Sequence, residues 1–244
     1  MRTIKLTIEY DGTHFSGWQI QPNQRTVQGV IEKALAKLTK EKIKVVGAGR
    51  TDAGVHALGQ VASFRCQKGL PMKAFINGIN FFLPEDVKII HAEEAHPSFN
   101  ARRDAVQRTY RYVVSKRPRV VGRYYSWYSK MTFSLEPMKK ASHYLVGGHD
   151  FTSFSKSDSE TNDYSSHVLD IHWIESDEEV WFEITALRFF HNMVRIIMGS
   201  LLEVGYGRIS PEQFHRILMA RDRKVAGPTL PPQGLFLVSV GFDQ

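Results

Sequence analysis

The chain opens on a strict alternation, with Ile4, Leu6, Ile8 and Tyr10 on one side of a predicted strand over residues 2–10. A loop with Gly12, Gly17 and Pro22 follows. Thr26 then stands where a helix cap belongs, and Val27, Val30, Ile31, Leu35 and Leu38 form the apolar face of a helix running to about residue 39. A short apolar strand over 43–48 leads into the loop 50–59, RTDAGVHALG, and a partner strand over 60–66. Met72, Phe75, Ile76 and Ile79 predict a helix over 71–82. Strands over 86–92 and 107–115 flank the polar, extended segment HPSFNARRDA. The pattern restarts after about residue 105. Strands are predicted near 124–130, 167–175, 179–188 and 234–241, with helices near 136–146, 191–204 and 210–220. The most polar stretch, 155–166, reads as a mobile loop.

The first half therefore has the order β-α-β-β-α-β and the second a related one, without any repeat in the sequence itself. This predicts an α+β protein of two halves, residues 1–105 and 106–244, each a sheet covered by helices on one face. The 244 residues are enough to bury a sizeable core. A single cysteine, Cys66, excludes an internal disulfide framework and the Cys-rich zinc patterns. The N-terminus is strand-like and no apolar run approaches the roughly 20 residues of a membrane span, so the cytoplasm is the expected compartment.

Charge sharpens the picture. The formal net charge is +7, yet residues 102–130 alone hold nine basic side chains against one acid, Asp104. These are Arg102, Arg103, Arg108, Arg111, Lys116, Arg117, Arg119, Arg123 and Lys130, interleaved with Tyr110, Tyr112, Tyr124, Tyr125, Trp127 and Tyr128. Arginines attract phosphates and aromatic rings offer stacking platforms for bases. A solvated, β-rich surface would account for the same composition.

The sharpest local signal is Gly49-Arg50-Thr51-Asp52-Ala53-Gly54-Val55-His56-Ala57. Glycines at 47, 49 and 54 permit a tight turn and close approach of a ligand. Asp52 sits there among small neighbours, where it can act as nucleophile or base, or simply cap a hairpin as an Asx-turn. His56 has no triad or metal partner at a telling spacing and reads as structural.

This motif resembles the catalytic motif of the tRNA pseudouridine synthase A family, and further matches follow in order along nearly the whole chain. They are Tyr10-Asp11-Gly12-Thr13-His14-Phe15-Ser16-Gly17-Trp18-Gln19, Thr26-Val27-Gln28-Gly29, Ser98-Phe99-Asn100-Ala101-Arg102 and Arg108-Thr109-Tyr110-Arg111-Tyr112. His149-Asp150-Phe151-Thr152-Ser153-Phe154, Phe190-His191-Asn192-Met193-Val194-Arg195 and Pro231-Pro232-Gln233-Gly234-Leu235 complete the set.

The resemblance implies the pseudouridine synthase fold: two ferredoxin-like halves with joined mixed or antiparallel sheets and a central basic cleft. It implies an isomerase that converts uridine to pseudouridine at positions 38, 39 and 40 of the anticodon stem-loop of tRNA. It implies a homodimer whose two subunits both contact tRNA, and no metal, nucleotide or organic cofactor. By the same resemblance Asp52 is the catalytic aspartate and Arg50 enters the site to displace the target base. Tyr110 packs on the uracil, Arg195 pairs with the aspartate, and Leu235 is an apolar pocket wall. Arg102 and Arg103 are expected on the tRNA backbone. Arg195 is set among aliphatic neighbours on its own helix, so an acidic partner is expected for it on physical grounds too, Glu203 and Glu32 being alternatives to Asp52. A non-catalytic RNA-binding protein would explain the basic-aromatic window, but a carboxylate on a glycine platform repels phosphate. A glycosidase would need a second acid, and none is evident near Asp52.

Overall fold

The computed structural model describes residues 1–156 and 163–243. Half of the polar segment expected as a mobile loop, residues 157–162, lies outside the described residues, and Ser165 and Ser166 already belong to a strand. The chain forms two compact units, one of Met1–Val106 with the C-terminal segment from Phe236, the other of Gln107–Leu235.

The first unit begins with β1 (Arg2–Tyr10), whose Ile4, Leu6 and Ile8 are fully buried as the alternation predicts. Each such side chain contributes about 1.5–3 kcal/mol. Helix α1 (Val27–Thr39) starts at Thr26, whose hydroxyl accepts from Gly29 N–H, a cap that contributes about 1 kcal/mol. The expected strand over 43–48 shrinks to β2 (Val46–Gly47), although Ile43 and Val45 are buried. The next strand grows instead: β3 (His56–Cys66) starts four residues early because it pairs antiparallel along β1, from Arg2 opposite Cys66 to Tyr10 opposite Ala57. Helix α2 (Met72–Phe82) lays Phe75 against Phe64 of β3, ring centroids 5.7 Å apart. Strand β4 (Val87–Ala95) pairs with the other edge of β1. The order β4-β1-β3-β2 is that of a ferredoxin-like sheet, and β3 also receives a parallel neighbour at its start, where Phe236 stands opposite His56.

In the second unit, β5 (Ala105–Ser115) buries Tyr110, Tyr112 and Val114 on one face. It is followed by β6 (Trp127–Tyr128), a two-residue parallel neighbour where a longer strand was expected, and α3 (Leu135–His143). A strand not anticipated from the sequence, β7 (Gly147–Asp150), precedes β8 (Ser165–Glu175) and β9 (Glu179–Ala186). These strands pair antiparallel in the order β7-β8-β9-β5. Trp173 of β8 packs on Phe182 and donates to Ser142 of α3, which fixes that helix over the sheet. Helices α4 (Met193–Gly205) and α5 (Pro211–Ala220) follow, α4 being buried on nearly all sides. The last strand is β10 (Leu235–Phe242). The sequence reading assigned residues 106–244 to one half. From Phe236 onward, however, this strand packs with the first unit, and Val240 and Phe242 cover Ala48, Val61 and Ala101.

Candidate active site

In the first unit, Arg50 and Asp52 stand on the loop 48–55 between β2 and β3. Their neighbours are held from both sides. Thr51 is buried and its hydroxyl is hydrogen-bonded to that of Tyr10, 2.7 Å away. Trp18 N–H donates to Thr51 O at 3.0 Å, Gly54 N–H to Phe15 O at 3.3 Å and Val55 N–H back to Asp52 O at 3.2 Å. Gln60 Nε2 donates to Gly49 O at 3.0 Å. Apart from the turn within the loop, these anchors come from β1, from β3 and from residues 11–18, the opening motif of the chain. That is why two motifs 30 residues apart read as one signature.

Close approach of these two loops dictates glycine at two points. Gly17 adopts φ 86°, and a Cβ placed on it would stand 2.6 Å from Thr51 O. A Cβ on Gly12 would collide with the carbonyl of Val55. The result is a rigid loop from which Asp52 is half-buried while Arg50 and Ala53 are exposed. Burial pushes the Tyr10 phenol up to about 12, against the pull of its hydrogen bonds with Thr51 and Gln60, so the hydroxyl stays protonated at neutral pH.

His56 is 1% exposed, its ring stacked on Phe236 with centroids 4.7 Å apart. Its Nδ1 lies 3.1 Å from both Gly12 N and Asp11 Oδ1. Gly12 N–H donates to this Nδ1. Asp11 Oδ1 is meanwhile bound by Thr13 N–H and the Thr13 hydroxyl. Arg102 and Arg103 lie in the turns after β4, their backbone N–H groups donating to Asn100 Oδ1. The Arg103 guanidinium pairs with Asp104 at 2.7 Å and donates to Ser98 O, and it holds the Asp104 carboxyl below the usual carboxylate range.

In the second unit, Tyr110 is 8% exposed and its ring meets Phe189 edge-on at 4.8 Å. Arg195 is half-buried on α4; its Nε donates to Leu230 O at 2.6 Å and its Nη1 to Asn192 Oδ1 at 2.7 Å. Leu230 N–H returns a bond to Arg195 O at 3.2 Å, and the Tyr112 hydroxyl donates to Pro231 O at 2.7 Å. The segment 230–235 is thus strapped to the helix of Arg195 and to the strand of Tyr110, and it delivers Leu235, 6% exposed, at its end. Of the alternative acids for Arg195, Glu203 pairs with Arg208 at 2.9 Å and Glu32 accepts from Val45 N–H and Gln28. Sequence reasoning missed Asn192 and the Leu230 carbonyl as partners of Arg195. The spacing of Asn192 and Arg195, three residues apart on a helix start, was the available signal.

The charge of residues 102–130 is also corrected by the fold. Arg111 pairs with Glu183 directly across β9, Lys116 with Glu175, Arg117 with Glu178, and Arg119 with Glu178 and Glu179. Together with Arg103, at least five of the nine cations face carboxylates, and Glu175, Glu178, Glu179 and Glu183 lie beyond the window in sequence. The strong local surplus read along the chain is therefore much reduced in space.

No helix among the described residues is long and apolar enough to cross a membrane, and no described cluster of His, Cys, Asp and Glu could hold a metal. The family model described as tRNA pseudouridine synthase matches residues 6–117 and 141–243, which include Arg50, Asp52, Tyr110, Arg195 and Leu235. Over 245 aligned residues the chain is 44% identical to the tRNA pseudouridine synthase A of Caldicellulosiruptor saccharolyticus, covering 99% of this chain and 100% of that protein. It is 42% identical to the protein of that name from Bacillus subtilis, over 98% of this chain and 99% of that one. For its counterpart in an Exiguobacterium strain the identity is 40%, over 100% and 99%. With the pinned aspartate loop inside the matched residues and both sequences covered end to end, the chain belongs to the tRNA pseudouridine synthase family.

Proposed function

We propose that this enzyme isomerises uridine to pseudouridine in the anticodon stem-loop of tRNA, at positions 38, 39 and 40, with Asp52 as the catalytic carboxylate. The observation that carries the assignment is the half-exposed carboxylate on a loop whose flanking residues, Thr51 and Val55, are buried and pinned. Such a carboxylate meets substrate without rearranging at the moment of reaction.

In the reaction the N1–C1′ bond breaks, the uracil turns while held, and a C5–C1′ bond forms. The C5 hydrogen is lost and N1 gains one, so no atom is added overall and no second acid is needed. The base must first leave its stack, at a cost of a few kcal/mol. Arg50 fills the space it leaves, a role that its exposure beside Asp52 supports. Tyr110, set by Phe189, supplies a flat ring for the uracil, and Leu235 an apolar wall that excludes water. Arg195 takes the part that the family pattern gives it, orienting the catalytic carboxylate through the planar fork of a guanidinium. Arg102 and Arg103 serve the tRNA backbone, although Asp104 offsets part of the charge of Arg103. The enzyme works as a homodimer in the cytoplasm, as the resemblance implies.

The decisive assay is tritium release from tRNA labelled at uridine C5. Asp52→Asn keeps volume and turn, so it should fold and bind tRNA like the wild type and release no tritium above background. An Asn variant that retained a substantial fraction of turnover would remove Asp52 from the catalytic role.

A further inference from the structure

Asn192 occupies the position from which a helix is normally capped, and asparagine is among the best capping residues. It does not cap. Its backbone is left-handed, φ 63° and ψ 6°, and its side chain accepts no capping bond from the backbone of α4. Instead Oδ1 accepts from Arg195 Nη1 at 2.7 Å, while Leu230 O accepts from Arg195 Nε at 2.6 Å. Two acceptors on different nitrogens fix both the plane of the guanidinium and its rotation within that plane. The left-handed backbone is what turns the Asn192 side chain toward Arg195, and asparagine is the residue other than glycine that adopts it most readily.

We infer that Asn192 is a positioning residue for the isomerisation, acting through Arg195: it holds the guanidinium in the one orientation in which that group serves the reaction. This rests on the reading of Arg195 given above. The contribution is geometric, because the charge is unchanged when Asn192 is removed.

The positive φ allows a clean test. Asn192→Gly keeps the backbone conformation without strain and deletes only the acceptor. Its melting temperature should stay within a few degrees of wild type and its tRNA affinity within about threefold. Its single-turnover rate should fall about 10- to 100-fold, as expected when a reacting group is misplaced by an ångström or so. Asn192→Asp, which keeps an acceptor at the same place, should restore most of the rate. In an Arg195→Lys background, which lacks both guanidinium bonds, adding Asn192→Gly should change the rate by no more than about threefold. A wild-type rate for Asn192→Gly beside a slow Arg195→Lys overturns the inference and leaves the role of Arg195 standing. Full additivity of the two substitutions overturns it as well, since Asn192 would then act elsewhere. A wild-type rate for Arg195→Lys and for Arg195→Met removes Arg195 from the reaction and the inference with it.

Discussion

Replacing Gly17 with Ala tests whether the first loop of the chain sets the position of Asp52, the proposed catalytic aspartate. Two costs attach to the added methyl. The backbone at φ 86° disfavours any side chain by about 1–2 kcal/mol. The Cβ would also stand 2.6 Å from Thr51 O, whereas ordinary carbon–oxygen contacts begin at about 3.3 Å. Relief requires a movement of roughly 0.7 Å between residue 17 and Thr51, adjacent to Asp52, and displacements of about 1 Å cost near 100-fold in rate. Gly207 supplies the control. Its φ is 71° and nothing lies within 4 Å of a Cβ built there, so Gly207→Ala carries the conformational cost without the collision. At 2–4 °C per kcal/mol for a chain of this size, that cost lowers the melting temperature by about 2–8 °C. Calorimetry and tritium release on both variants should show Gly207→Ala destabilised but catalytically normal. Gly17→Ala should be destabilised at least as much, with kcat reduced about 10- to 100-fold and tRNA affinity little changed. A normal kcat in Gly17→Ala, or an equal loss of kcat in Gly207→Ala, would refute the coupling of this glycine to the aspartate loop.

Tyr10→Phe deletes the hydroxyl that meets Thr51 in a buried setting and should destabilise the enzyme by about 1–2 kcal/mol in denaturant titrations. Because burial raises the folded-state value of Tyr10 to about 12, its contribution is complete below the unfolded value of about 10 and is lost as pH rises from there through 12. Stability measured over that range should therefore fall less steeply in Tyr10→Phe than in wild type, and parallel alkaline profiles would show that Tyr10 does not titrate as described. Glu178→Gln should release Arg117 and Arg119 from a carboxylate they share and tighten RNA binding a few-fold at low salt, with a steeper dependence of log K on log salt. Unchanged affinity and slope would place that surface away from RNA.

Much of this protein was legible in its residue order because the relevant physics is local. The alternation of Ile4, Leu6, Ile8 and Tyr10 defines β1 without reference to a partner, and Thr26 marks the start of α1 through a hydroxyl that reaches only its own helix. The GRTDAGVHA motif and its companions point to the family because each is a short run of consecutive residues and they follow one another in order along the chain. Other features depended on chain segments far apart in sequence. No element is predicted over Gly147–Asp150, and it becomes β7 because β8 offers it a hydrogen-bonding edge, with Gly147 opposite Val168. His56–Gly59 reads as loop and becomes strand because β1 extends alongside, and because Phe236 returns to lie opposite His56. Charge behaved likewise: the composition of residues 102–130 is a property of the sequence, but its field depends on Glu175, Glu178, Glu179 and Glu183, delivered by β8, β9 and the turn between them. The same holds for Arg195, whose need of a partner follows from its apolar helix, whereas Leu230 O and Asn192 Oδ1 meet it only where the strap and a left-handed residue bring them. Helix caps and strand periodicity act over a few residues and can be read in order, while edge pairing and ion pairing are settled by which distant segments the fold brings within a few ångströms.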